Sequence, residues 1–229
     1  FPTIIINDTM AKRIVENRYG VGISVVDGMM RTTNIMLGGK KVVVIGYGYC
    51  GQGVAQRLRG LGAHVTVVDT EPMAQLEAHL EGFNVAEKEE ALVGADIVLT
   101  VTGRRNVILE EHFELMKDGV LLCNAGAFEF EIDLSYLRDA AASIRNIRTD
   151  VERISMSDGK NYFLLGRGNS INLAGGDGNP IEVMDLGLAL QALSLERLAL
   201  GTDTLNNEPQ AVPYDIEQTV LKAAVKAWI

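Results

Sequence analysis

A run of β-branched residues, Val42-Val43-Val44-Ile45, leads straight into Gly46-Tyr47-Gly48-Tyr49-Cys50-Gly51, a G-x-G-x-x-G pattern. These residue types at this spacing suit the holding of a pyrophosphate by backbone amides. Gly46 permits a tight turn off a strand, Gly48 lets the backbone approach the pyrophosphate, and Gly51 lets the next helix pack close to the sheet. The N–H groups at the helix start, around Tyr49 and Cys50, then face the phosphates. Asp69 ends the following apolar run, 18 residues after Gly51. It is placed to accept hydrogen bonds from an adenosine ribose, which selects NAD over NADP. A lone glycine pattern also occurs as an ordinary βα turn. Here a strand precedes it, a helix follows it and an acid ends the second strand.

The elements that must position these groups follow from periodicity and punctuation. The spacing predicts strands at 42–46, 64–69, 96–101 and 119–123, and helices at 52–61, 72–81, 87–92 and 110–116. Near-continuous apolar strands alternating with helices imply an α/β fold, a Rossmann-type doubly wound parallel sheet with flanking helices. Upstream, Asn7-Asp8-Thr9 offers caps for a helix to about Arg18, ended by Tyr19-Gly20. A second helix is predicted from about Ser24 to Leu37, stopped by Gly38-Gly39. Residues 143–166 read as strands, with a hairpin at Ser157-Asp158-Gly159-Lys160. A glycine-rich loop from Gly166 to Gly178 leads to a helix from Pro180 to Leu200, with Pro at its first turn. Thr202 to Pro213 reads as a polar linker, and a last helix starts near Asp215. The expected division is a helical segment at 1–40, a nucleotide domain at 41–166, and a small C-terminal extension at 167–229, with the hairpin at its border.

Composition narrows the function classes. The net charge of −9 and the lack of a Lys/Arg cluster argue against a nucleic-acid surface. No apolar run approaches the roughly 20 residues that span a bilayer, and no signal peptide is evident, so a cytoplasmic protein is expected. Cys50 and Cys123 sit near predicted strand ends and read as small apolar residues rather than a disulfide. No Cys/His spacing suggests a metal site. The three histidines, His64, His79 and His112, read as structural or solvated. A chain that starts at Phe1 is expected to be a piece of a larger protein. The apolar helix from Ile181 to Leu200 suggests a homo-oligomer, unless it only packs on its own core.

Several further motifs join the glycine pattern. They include Asn17-Arg18-Tyr19-Gly20, Asp27-Gly28, Arg31-Thr32-Thr33-Asn34, Thr100-Val101-Thr102-Gly103, Cys123-Asn124-Ala125-Gly126 and Asn172-Leu173-Ala174-Gly175-Gly176-Asp177-Gly178. Together they resemble the NAD-binding part of the adenosylhomocysteinase (S-adenosylhomocysteine hydrolase) family, in order and spacing, over nearly the whole chain. The resemblance implies a nucleoside-type substrate, a dimeric or tetrameric assembly, and a tightly bound NAD+ that transiently oxidises a ribose hydroxyl. It implies that Lys12 contacts that hydroxyl and can manage its proton. It places Glu16, where the family has Asp, and Asn17 beside the same chemistry. It assigns Thr100, Thr102, Gly103, Asn124, Gly126 and Asn172 to the lining of the cofactor.

Two positions depart from the resemblance. Ala127 stands where the family has a histidine beside the sugar, and Asn179 where it has a histidine near the base. The cofactor site is therefore expected to be intact and the sugar and base site altered. Three readings follow: an NAD+-using enzyme with a changed substrate or route, the cofactor domain of an ordinary S-adenosylhomocysteine hydrolase, or a non-catalytic NAD-binding paralogue.

Overall fold

The computed structural model describes residues 2–127, 129–201 and 205–229. Its strands in chain order are β1 (Thr3–Ile5), β2 (Lys41–Ile45), β3 (His64–Val68), β4 (Asn84–Val85), β5 (Ile97–Thr100), β6 (Val120–Asn124), β7 (Ala141–Arg148), β8 (Val151–Met156), β9 (Asn161–Leu165) and β10 (Pro209–Ala211). The α-helices are α1 (Val21–Thr33), α2 (Tyr49–Gly60), α3 (Pro72–Leu80), α4 (Lys88–Leu92), α5 (Glu110–Leu115), α6 (Leu134–Asp139), α7 (Ile171–Ala174), α8 (Ile181–Ala199) and α9 (Tyr214–Trp228). Contacts divide the chain into two compact units, residues 1–20 with 179–229 and residues 21–178.

The larger unit is built on one eight-stranded sheet of order β4-β3-β2-β5-β6-β9-β8-β7. The first six strands pair in parallel, and β8 and β7 close the edge antiparallel. The six parallel strands follow the 3-2-1-4-5-6 order of the doubly wound dinucleotide fold. Side chains of β2 alternate between two cores. Val42 and Val44 join Val54, Ala55 and Leu58 of α2 and Val25, Val26 and Met29 of α1. Val43 and Ile45 join Leu92, Phe113 and Leu137 of α4, α5 and α6 on the opposite face. Burial on both faces explains why this strand reads as a continuous apolar run. The expected hairpin connects β8 to β9, with Gly159 at φ 92° and the Lys160 N–H donating to the Asp158 carboxylate at 2.9 Å.

The smaller unit packs α8 and α9 with a π-type helix, Ala11–Gly20, around Leu186, Leu190, Val212, Ile216 and Val220. The inner row of α8 therefore serves a core of its own. Ile181, Leu188 and Leu195, seven residues apart, are exposed on the same helix.

Three local expectations are corrected. Tyr19-Gly20 does not end a helix, because Val21 continues helical directly after Gly20. Gly20 is buried, and a Cβ there would lie 2.8 Å from Val183. A helix-interior glycine costs only about 1 kcal/mol, which packing can outweigh. The second helix stops at Thr33, short of Leu37, because Asn34 turns left-handed at φ 54° and its N–H caps the Met30 carbonyl at 2.8 Å. The segment read as a linker contains β10, which pairs in parallel with β1 in the register Thr3↔Pro209 to Ile5↔Ala211; of that segment, 202–204 lie outside the described residues. The glycine-rich stretch after β9 also holds a single helical turn, α7.

Candidate functional site

The G-x-G-x-x-G segment forms the turn from β2 into α2. Gly46 has φ 105°, a left-handed value that an L side chain rarely adopts, and a Cβ there would also lie 2.9 Å from the Val101 carbonyl oxygen. Gly51 lies inside α2, where a Cβ would fall 2.0 Å from the Gly46 carbonyl oxygen. The helix start thus packs directly against the turn it follows. Gly48 differs from both: it is exposed, and a Cβ there would meet nothing within 4 Å. That is the open space a pyrophosphate needs over the backbone. Gly48 is also the N-cap of α2 and carries no side chain to occupy the first amides, so the helix start at Tyr49, Cys50 and Gly51 offers donors to an anion.

Asp69 closes this end of the crevice. One of its carboxylate oxygens accepts the Tyr47 N–H at 2.6 Å, and the other accepts the Glu71 N–H at 2.9 Å. A carboxylate has about four lone-pair sites, so each oxygen keeps one for a ribose hydroxyl. The residue between the first two glycines is pinned as well. The buried Tyr47 ring meets Phe83 edge-on at 5.8 Å, and its hydroxyl donates to Glu81 at 3.0 Å. Gln56 of α2 donates to the same Glu81 carboxylate at 2.8 Å, and Gln52 donates to Glu77 at 2.9 Å, tying α2 to α3.

On the other side of β2, the ends of β5 and β6 carry the remaining cofactor candidates. Thr100 and Asn124 are fully buried and share a 3.3 Å hydrogen bond. The Asn124 amide also donates to the Gly168 carbonyl at 2.9 Å and accepts the Gly126 N–H at 2.8 Å. These two side chains fasten the strand ends and the turn after β6. Thr102 and Gly103 turn outward after β5 and bond to Glu131, a wholly buried carboxylate. Asn172, on α7, is buried and accepts from Ser170 at 2.7 Å. Sequence reasoning missed Glu131: it sits in a short 3-10 turn, Glu129–Glu131, without helical or strand periodicity.

Lys12, Glu16 and Asn17 belong to the smaller unit. Lys12 and Glu16 form a direct ion pair, and Asn17 follows Lys12 by five residues, one turn of a π-type helix. The three share one helix face. The helix is capped by Thr9, whose hydroxyl accepts the Lys12 N–H at 3.1 Å, and by Glu217 of α9, which accepts the Ala11 N–H at 3.2 Å. Gly187 of α8 leaves room for Glu16, whose carboxylate would lie 2.8 Å from a Cβ there.

The histidines stand apart from these groups. His64 and His79 are exposed. His112 is buried and accepts the Leu109 N–H through Nδ1 at 2.9 Å, with Nε2 3.6 Å from Glu89. Neither Cys50 nor Cys123 forms a disulfide, and burial pushes the Cys123 thiol far above its ordinary range. Among the described residues no cluster could hold a metal ion, and no helix is long and apolar enough to cross a membrane.

Residues 17–178 match the family described as "S-adenosyl-L-homocysteine hydrolase, NAD binding domain". The chain belongs to the S-adenosyl-L-homocysteine hydrolase family. It is 46% identical over 228 residues to the S-inosyl-L-homocysteine hydrolase of Methanopyrus kandleri, covering 99% of this chain and 54% of that protein. It is 42% identical to the adenosylhomocysteinase of Nostoc sp., over 99% of this chain and 53% of the relative. The adenosylhomocysteinase of Thermococcus kodakarensis is 45% identical, with 97% and 53% covered. The chain thus spans about half the length of the curated relatives it matches. Among solved structures, the A chain of dipicolinate synthase from Bacillus subtilis aligns with a TM-score of 0.53 at 15% identity, over 80% of this chain and 57% of that one. That likeness is one of fold. The family match and the glycine turn agree that this is an NAD-binding Rossmann domain.

Proposed function

We propose that the protein uses bound NAD+ to open the thioether of a nucleosyl homocysteine, and that its purine site departs from the adenosine-specific pattern. NAD+ supplies a hydride acceptor for a sugar hydroxyl. The chain's own residues do the rest. Lys12 takes the proton from that hydroxyl through its amine, and Glu16 on the same helix face pairs with the ammonium so formed. Asn17, one turn on, orients the sugar. Tyr49, Cys50, Thr100, Thr102, Gly103, Asn124, Gly126 and Asn172 complete the cofactor crevice, some by contact and some by fixing the strand ends.

The observation that carries this reading is the retained Lys12–Glu16 pair with Asn17 on its face, in a chain whose NAD turn is intact. The altered base site rests on Asn179, for which the resemblance expects a histidine, and Ala127 marks a like change beside the sugar. Its support includes a relative named for an inosyl rather than an adenosyl substrate. Those two substrates differ at one purine substituent, an oxo acceptor in place of an amino donor. A carboxamide such as that of Asn179 can donate to an oxo group or accept from an amino group.

The test is to give the NAD-loaded protein S-inosyl- and S-adenosyl-homocysteine in turn, following reduced-nicotinamide absorbance and free thiol. Formation of reduced cofactor together with homocysteine, faster with the inosyl compound, supports the proposal. NAD-loaded protein that yields neither signal with either compound refutes it and leaves the non-catalytic paralogue. Equal or greater turnover of the adenosyl compound would return the protein to ordinary S-adenosylhomocysteine hydrolysis. A homo-oligomer belongs to the same reading, with the exposed Ile181, Leu188 and Leu195 row of α8 as its contact; light scattering after size exclusion tests it.

A further inference from the structure

Glu131 is the least explained ionisable group in the larger unit. Its side chain is wholly buried, and burying a carboxylate is costly unless every lone pair finds a donor. Three neutral donors meet it: the Thr102 N–H at 3.0 Å, the Thr102 hydroxyl at 2.9 Å and the Gly103 N–H at 2.7 Å. Its backbone is fixed too, because the Val107 and Ile108 N–H groups both donate to its carbonyl at 2.9 Å. A Cβ at Gly126 would fall 1.7 Å from its carboxylate, so that glycine is the space in which the carboxylate sits. Glu131 therefore locks together two turns, the one after β5 and the one after β6.

Those turns lie at the carboxyl ends of β5 and β6, on the far side of the strand-order reversal from Asp69. In a doubly wound fold, one βαβαβ half holds each mononucleotide. Asp69 and β3 serve the adenosine half, so β5 and β6 serve the nicotinamide half. We propose that Glu131 is a positioning residue for nicotinamide binding: it holds the Thr102–Gly103 turn in the one conformation that admits that half of the cofactor. The inference rests on the NAD crevice described above and extends it to a residue outside the glycine motif.

The test compares NAD+ with ADP, which carries the adenosine half without the nicotinamide riboside. In Glu131→Gln the side-chain shape is kept, but an NH2 now faces at least one N–H of the turn. A buried donor left without an acceptor is unfavourable, so the turn leaves this conformation. The calorimetric NAD+ affinity is then expected to fall about tenfold or more, with ADP affinity within about twofold of the parent. Glu131→Asp keeps the charge but draws the oxygens back, and is expected to show the same split to a smaller degree. It carries the test if the glutamine variant does not fold. Glu129→Gln, an exposed neighbour in the same turn, should leave both affinities unchanged. Folded Glu131 variants that bind NAD+ like the parent, or that lose NAD+ and ADP in parallel, overturn the proposal. A parent protein that binds neither ligand would instead overturn the cofactor crevice itself.

Discussion

Replacing Gly48 with alanine should separate folding from cofactor binding. Gly48 has φ −70° and ψ −173°, an extended conformation open to any residue. A methyl group there would touch nothing within 4 Å. Substituting Gly by Ala where the backbone is unstrained stabilises by about 0.4–1 kcal/mol, by restricting the unfolded chain. The melting temperature should therefore hold or rise by a few degrees. NAD+ should fare differently, because the methyl fills the space where the backbone must meet the pyrophosphate. Losing close contact to that group should weaken binding by about 1.4 kcal/mol or more, a factor of ten. Gly51→Ala is the informative contrast. In an isolated helix it would gain about 1 kcal/mol. Here the new carbon lies 2.0 Å from the Gly46 carbonyl oxygen, a backbone atom that cannot yield. Overpacking of this kind costs about 1–3 kcal/mol and sometimes more, so the clash wins. Gly51→Ala should melt lower and bind NAD+ poorly. Scanning calorimetry and NAD+ titration of both variants decide the matter. A Gly48→Ala protein that binds NAD+ like the parent would refute the placement of the pyrophosphate over this residue. One that melts as low as Gly51→Ala would refute the open-space argument.

Asp69→Ala removes the acceptor of the Tyr47 and Glu71 N–H groups; it should lower stability by about 1–3 kcal/mol and narrow the preference for NAD+ over NADP+, read by paired titrations. Lys12→Ala should cut turnover by about 10²–10⁴-fold while leaving NAD+ affinity near the parent value; equal turnover would remove Lys12 from the chemistry. In a Cys50→Ser protein, the buried Cys123 thiol, held far above its usual range by burial, should resist a disulfide exchange reagent until denaturant is added; prompt labelling of the native protein would contradict its burial. Burial, aided by nearby Asp158, pushes the Tyr162 phenol up to about 12, and its hydroxyl donates to the Phe113 carbonyl at 2.8 Å. The folded state therefore holds this proton longer than the unfolded chain, whose tyrosines titrate near about 10. Its contribution to stability is full below about pH 10 and is lost as pH rises toward about 12. Ultraviolet titration should show a late phenol that Tyr162→Phe lacks, whereas six tyrosines ionising together near the ordinary value would contradict it.

The nucleotide fold was legible because its signals are local. β2 runs apolar into Gly46, and the strands at His64, Ile97 and Val120 recur with helices between them, so alternation alone implied a parallel sheet. Asp69 could be placed because it ends a strand. The β1–β10 pairing was not legible: it joins two three-residue strands from opposite ends of the chain, one beginning with Pro209, and no period marks it. The end of α1 was misjudged because Asn34 already turns left-handed before the glycine pair is reached. Glu131 was invisible for a similar reason. A glutamate in an acidic stretch reads as solvated, and only the close approach of the β5 and β6 turns shows that it is buried among backbone donors. Thr100 and Asn124, which the resemblance assigns to the lining of the cofactor, lie at strand ends, and these hydrogen bonds of theirs run within the protein.

The most direct measurement is a pair of calorimetric titrations of the parent protein, stripped of small molecules, with NAD+ and with NADP+. The glycine turn and the Asp69 carboxylate predict saturable, one-to-one binding of NAD+ and far weaker binding of the phosphorylated form. No heat from NAD+, or equal affinity for the two, would contradict the account at its base.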